Sequence, residues 1–187
     1  MGKIKSIHTG RLVLRELTME DFESVHEIKS NPEVVKYLTW GPNSEDETKK
    51  SLQKQIAFQT DKNRKTFVLA VVRNDTSQLI GNALLMIKDE DNKVAEIGYF
   101  LHPSHWNKGY GKEVVKGLLK LGFVELSLHR IYATCDVENI GSIKVLQSLG
   151  FRLEGHLKQN LYVKGQWRDN YLFALLSSEY NENELTK

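Results

Sequence analysis

The sequence predicts an α+β fold: a single mixed, mostly antiparallel sheet of about seven strands with flanking helices, splayed where the strand order changes. Three observations predict it. Runs rich in β-branched and aromatic residues at 66–73, 79–87 and 93–101 are separated only by the turn formers Asn74-Asp75-Thr76-Ser77 and Asp89-Glu90-Asp91-Asn92, which implies an antiparallel meander. A helical stripe of Val115, Leu118, Leu119, Gly122, Phe123 and Leu126 then leads to a strand at 131–135, the pattern of a right-handed parallel crossover. Finally, strand-like runs at 151–163 and 167–176 flank Lys164-Gly165-Gln166.

The remaining elements follow from local signals. Residues 11–17 read as a strand. Thr18 with Asp21 opens a helix carrying Phe22, Val25 and Ile28, which stops before Asn31-Pro32. Ser44 with Glu47 opens a second, polar helix carrying Leu52, Ile56 and Phe58. Between them, residues 31–42 read as loop and short helix, with Tyr37 and Trp40 set to be exposed. A last helix runs from Asn139 to Leu149 and is stopped by Gly150, a residue suited to a left-handed cap.

Composition narrows the function classes. The chain of 187 residues suits one domain, with a core at about 11–177. Its 26 basic and 24 acidic side chains leave a net charge of only +2, too little for the field that phosphate-backbone binding needs, so no nucleic-acid partner is expected. No apolar run has the length of a membrane span, and none is expected to bind a membrane. The sole cysteine, Cys135, fits a reducing compartment, so a cytoplasmic location is expected. Gly2 and Ser6 have the spacing of an acylation signal, and Asn74-Asp75-Thr76 that of a glycosylation acceptor; both read as chance matches. A homodimer is left open.

The richest stretch in chemistry is Ile97-Gly98-Tyr99-Phe100-Leu101-His102-Pro103-Ser104-His105-Trp106-Asn107-Lys108-Gly109-Tyr110-Gly111-Lys112-Glu113. Gly109 and Gly111 lie between a strand and a helix. Main-chain amides there can approach an anion closely, and the helix terminus adds its positive end. A Walker loop is excluded, because Glu113 follows Gly111-Lys112 and Trp106 stands where its first glycine belongs; a dinucleotide fingerprint is excluded by Val114. His102 and His105 lack the further ligands a metal needs, so no metal is expected.

These residues resemble the acetyl-CoA motif of the GNAT superfamily of N-acetyltransferases. More narrowly, Trp106 to Glu113 resembles the branch that acetylates N-termini of ribosomal proteins. The resemblance runs from Arg11-Leu12-x-Leu14-Arg15 through Asn31-Pro32-Glu33-Val34, Asn139-x-x-Ser142 and Leu149-Gly150-Phe151 to Glu154-Gly155 and Gly165-x-Trp167-x-Asp169. It implies the acyl-CoA N-acyltransferase fold and acetyl-CoA as donor. It also implies pyrophosphate on the amides of Asn107, Lys108, Gly109, Tyr110, Gly111 and Lys112, with the pantetheine arm beside Tyr99, Phe100 and Leu101. Trp106 replaces the Gln or Arg common in the wider superfamily, as it does in the narrower branch.

The roles follow from the reaction. Glu96, on the strand flanking the donor, is expected to receive the amine proton, directly or through water. A main-chain amide near Tyr99 or Phe100 is expected to meet the carbonyl oxyanion. Asn139 serves equally as a helix cap or, by the resemblance, as a contact to the donor; Ser142 is placed near the sulfur, where it can donate to the departing thiolate. Relatives outside the branch use a tyrosine where this chain has Leu146, so the acid stays open between Ser142 and an unassigned group. Tyr37, Trp40, Asp169 and Tyr171 are candidates for the acceptor pocket, with packing as the alternative. The acceptor expected first is a protein N-terminal α-amine; a small-molecule amine such as a polyamine, an amino acid or an aminoglycoside-like compound comes second. A non-catalytic acyl-CoA sensor is the competing class.

Overall fold

The computed structural model describes residues 4–181, so Gly2 of the acylation pattern lies outside the described residues. One sheet of eight strands runs in the order β1-β2-β3-β4-β5-β6-β8-β7. The strands are β1 (Ile7–His8), β2 (Leu12–Glu16), β3 (Thr66–Arg73), β4 (Leu79–Asp89), β5 (Val94–Leu101), β6 (Arg130–Asp136), β7 (Arg152–Val163) and β8 (Gln166–Leu176). Seven of these are legible in the sequence. The eighth, β1, is two residues long and has too short a pattern to register as alternation.

The helices are α1 (Phe22–Lys29), α2 (Pro32–Val35), α3 (Glu45–Ala57), α4 (Tyr110–Leu119) and α5 (Ile140–Ser148). Side-chain caps fix the starts of α2 and α3, the latter as the sequence suggested. Ser44 Oγ accepts from the Glu47 amide while the Glu47 carboxylate accepts from the Ser44 amide, and Asn31 Oδ1 caps α2. One expectation needs correction: the crossover helix is α-helical only as far as Leu119 and continues as a π-helical turn over Lys120–Glu125. The wider turn seats Gly122 where a Cβ would stand 2.4 Å from the Ile131 side chain, so the chain presses closely onto β6 at this point.

Two apolar layers sandwich the sheet. On one face Leu14, Phe67, Leu85, Ile97, Ile131 and Phe173 pack against Val114, Val115 and Leu118 of α4 and Leu146 of α5. On the other, Val68, Ala70 and Val72 pack against Val25 and Ile28 of α1, Val34 and Val35 of α2, and Leu52 of α3. Side chains alternate between faces along each strand, so neighbouring residues of β5 or β6 serve opposite sides of the sheet.

The feature that positions the site lies between β5 and β6. They run parallel but pair only at Val94↔Arg130, Ala95↔Ile131 and Glu96↔Tyr132. Past Glu96, β5 stays paired to β4 as far as Leu101, and β6 stays paired to β8 as far as Asp136. The two strands therefore part, and a crevice opens between 97–101 and 133–136. Main-chain groups on the open side of each strand have no ladder partner there.

Candidate active site

The loop after β5 turns the chain into α4 at the mouth of this crevice. Trp106 Nε1 donates to the Leu101 carbonyl at 2.8 Å, and Lys108 Nζ folds back on the Ser104 carbonyl at 2.7 Å. Asn107 and Gly109 both take positive φ, at 56° and 82°, which brings successive amides onto one side of the loop. The first helical hydrogen bond of α4 is donated by the Glu113 amide to the Gly109 carbonyl, so the amides of Tyr110, Gly111 and Lys112 have no helical acceptor. These amides and the end of the helix dipole are free to take an anion.

Arg11, at the head of β2, clamps this loop. Its guanidinium bonds Glu113 Oε1 at 2.5 Å and the Lys108 carbonyl at 2.9 Å, and it lies 4.4 Å from the Tyr110 ring centroid. The Arg11 amide also donates to Glu113 Oε2 at 2.8 Å. The sequence showed Arg11 as part of a motif but gave no hint of this contact, because it joins residues far apart in the chain.

Where Gly111 faces the crevice, an added Cβ would meet the Tyr99 hydroxyl at 3.1 Å and Val145 at 3.4 Å. Tyr99, whose main chain alone was assigned from sequence, thus brings its phenol to the junction of β5, α4 and α5. Burial pushes its pKa up to about 12, opposed in part by the nearby Ser142 side chain. The phenol stays protonated at neutral pH and has a proton to donate. Ser142 sits in the first turn of α5, and its amide is capped by Asn139 Oδ1 at 3.1 Å. Asn139 therefore does cap the helix, which leaves its amide nitrogen for a ligand. Burial raises the Cys135 thiol to about 11, so no nucleophilic thiolate is available there.

Glu96 stands on the other face of the sheet, at the last β5–β6 pair. Thr134 Oγ1 donates to Glu96 Oε1 at 3.2 Å, and Lys88 Nζ lies 3.3 Å from Oε2. Phe100 shares that face and meets Trp40 edge-on, with ring centroids 5.4 Å apart. Under Trp40 lies Lys29, whose buried ammonium donates to Ser51 Oγ at 2.8 Å; burial lowers its pKa to about 8.

Of the four acceptor-pocket candidates, two lie on the face of Glu96, Trp40 against Phe100 and Tyr37 at the crevice around Asp136, and two do not. Asp169 and Tyr171 belong to the opposite face. Asp169 Oδ2 is 2.7 Å from His156 Nε2, Oδ1 accepts the Gln159 amide, and Tyr171 packs against the His156 ring. Their neighbours Arg168 and Asn170, which alternation turns toward Glu96, were missed. Among the described residues no group of three His, Cys, Asp or Glu side chains could hold a metal, and no helix is long and apolar enough to cross a membrane.

An anion-binding helix start beside a parted pair of parallel strands, with a carboxylate at the fork, is the architecture of an acyltransferase that draws its donor through the sheet. The profile of the acetyltransferase (GNAT) domain matches residues 11–152, and the chain belongs to that family. An N-acetyltransferase of Bacillus subtilis, YnaD, itself uncharacterized, is 35% identical over 94% of this chain and 99% of its own. The crystal structure of a GNAT-family acetyltransferase from Bacillus anthracis, 32% identical, superposes with a TM-score of 0.84 over 94% of this chain and 100% of that one. A spermidine N-acetyltransferase from Vibrio cholerae, solved with CoA and spermine, is 26% identical and has a TM-score of 0.80 over 91% of this chain and 98% of that one. The chain is thus an N-acetyltransferase of the GNAT type that uses acetyl-CoA. The residues fit that donor: free amides at 110–112, a side-chain-free surface at Gly111, and a crevice between β5 and β6.

Proposed function

We propose that this chain acetylates a protein N-terminal α-amine by direct attack in a ternary complex, as a single cytoplasmic catalytic domain. The donor supplies an acetyl thioester. Amides of residues 107–112 hold its pyrophosphate, Asn139 Nδ2 contacts its arm, and open main-chain groups of Tyr99, Phe100 and Leu101 line the arm and the acetyl carbonyl. Glu96 takes the amine proton, directly or through water. Ser142 donates a hydrogen bond toward the departing sulfur.

The observation that carries the α-amine reading is the state of Glu96. Each of its oxygens already has one partner, Thr134 on one and Lys88 on the other, so Glu96 meets the acceptor as a charge-paired carboxylate rather than as a free base. An α-amine with a pKa of ~8 is already partly neutral at physiological pH, whereas a lysine-type amine at ~10.4 leans far harder on its base. The resemblance of Trp106–Glu113 to the ribosomal-protein branch points the same way. The test compares kcat/KM, followed as thiol release, for a free N-terminal peptide, an Nα-blocked lysine peptide and spermidine. The α-amine is expected to lead; a lead for either of the others overturns the reading.

Ser142→Ala is expected to lower kcat by about tenfold with little change in affinity for the donor, at or below the low end of acid catalysis because a thiolate of pKa ~8.5 departs readily. Unchanged turnover would remove Ser142 from the reaction.

A further inference from the structure

The acceptor face continues beyond Glu96 along β6. Thr134, which bonds Glu96, and Asp136 are two residues apart on one strand, so their side chains share a face about 7 Å apart. Around Asp136 a crevice opens between the Lys36–Thr39 segment and the β7–β8 hairpin. Three cations line it: Lys36, Lys164 and Arg168. Asp136 is its carboxylate and is already engaged at both oxygens, with Oδ1 accepting the Glu138 amide at 2.9 Å and Oδ2 accepting Arg168 at 2.7 Å. Glu138, at the rim, also lies on Arg168, at 3.2 Å.

From this arrangement we infer that the acceptor carries an anionic group beyond its reacting amine, and that the preferred α-amine belongs to a peptide with Asp or Glu at its second position. This specificity rests on the α-amine reading above. The carboxylates of this face each have a cation beside them already, Glu96 with Lys88 and Asp136 and Glu138 with Arg168, and with Lys36 and Lys164 added four cations stand against three carboxylates, a balance that disfavours a polycation. Lys164 donates one proton to the Val35 carbonyl at 2.6 Å and keeps two for an incoming carboxylate. Burial and the Arg168 charge lower its pKa, the signature of an ammonium in a field that an anion would relieve. The Tyr37 ring lies 4.9 Å from Lys36 and 6.0 Å from Arg168, and so fixes two of the three cations.

The experiment measures kcat/KM with acetyl-CoA, and peptide Kd, for three short peptides identical but for Asp, Asn or Lys at position 2, with spermidine alongside. The Asp peptide is expected to exceed the Asn peptide by about tenfold, the scale of one charge-assisted hydrogen bond, with the Lys peptide last. Lys36→Glu, an exposed change checked by its melting curve, is expected to narrow or invert that order. Equal values for the three peptides, all well acetylated, overturn the anionic preference and leave the α-amine reading standing. Acetylation of spermidine with none of the peptides overturns both.

Discussion

Replacing Gly111 by valine is expected to weaken binding of coenzyme A by about 100-fold or more, the loss of two charge-assisted hydrogen bonds. The position is the second residue of α4, and its amide is one of three that precede the first helical donor, Glu113. A Cβ there would already press on the Tyr99 hydroxyl at 3.1 Å, and two further methyl groups would extend over the surface where phosphate must approach. Isothermal titration reads the affinity, and a thermal melt separates a blocked site from a damaged fold. Retained affinity in a folded variant would mean that the diphosphate is held elsewhere.

Glu96→Gln is expected to lower kcat by about 100-fold while leaving donor affinity intact. The amide keeps the shape and can still accept from Thr134, but it no longer takes a proton. What remains of the activity should rise with pH through ~8, because above that value the α-amine is neutral without help and below it the amine stays protonated. Initial rates across pH, with donor binding measured in parallel, check both parts. A fall of less than about tenfold would take Glu96 out of the proton path.

Much of this architecture was legible because it is local. The turn formers at 74–77 and 89–92, the capping pair Ser44 and Glu47, and the Gly109–Gly111 loop each act through neighbours in sequence, and each sits where the pattern put it. A crevice at the change of strand order was expected from topology, but its place between β5 and β6 was expected only through the family likeness, since no residue in either strand announces where pairing stops. Face assignment was harder still. Asp169 and Tyr171 look like their neighbours Arg168 and Asn170 as candidates, yet alternation along β8 turns the two pairs to opposite sides of the sheet. Contacts across distant parts of the chain were invisible altogether: Arg11 on Glu113, Thr134 on Glu96, and Lys164 on the Val35 carbonyl. The π-helical turn at 120–125 continues the apolar stripe of α4, so periodicity reads it as more of the same helix.

The claim on which the rest depends is that unpaired amides around Gly109 and Gly111 seat a diphosphate and aim its thioester through the gap between β5 and β6. Calorimetric titration of the folded protein with coenzyme A tests it most directly. One molecule bound per chain, with affinity falling sharply when the diphosphate is removed and pantetheine alone is offered, is the predicted result. No heat of association, or equal affinity for pantetheine alone, would contradict it.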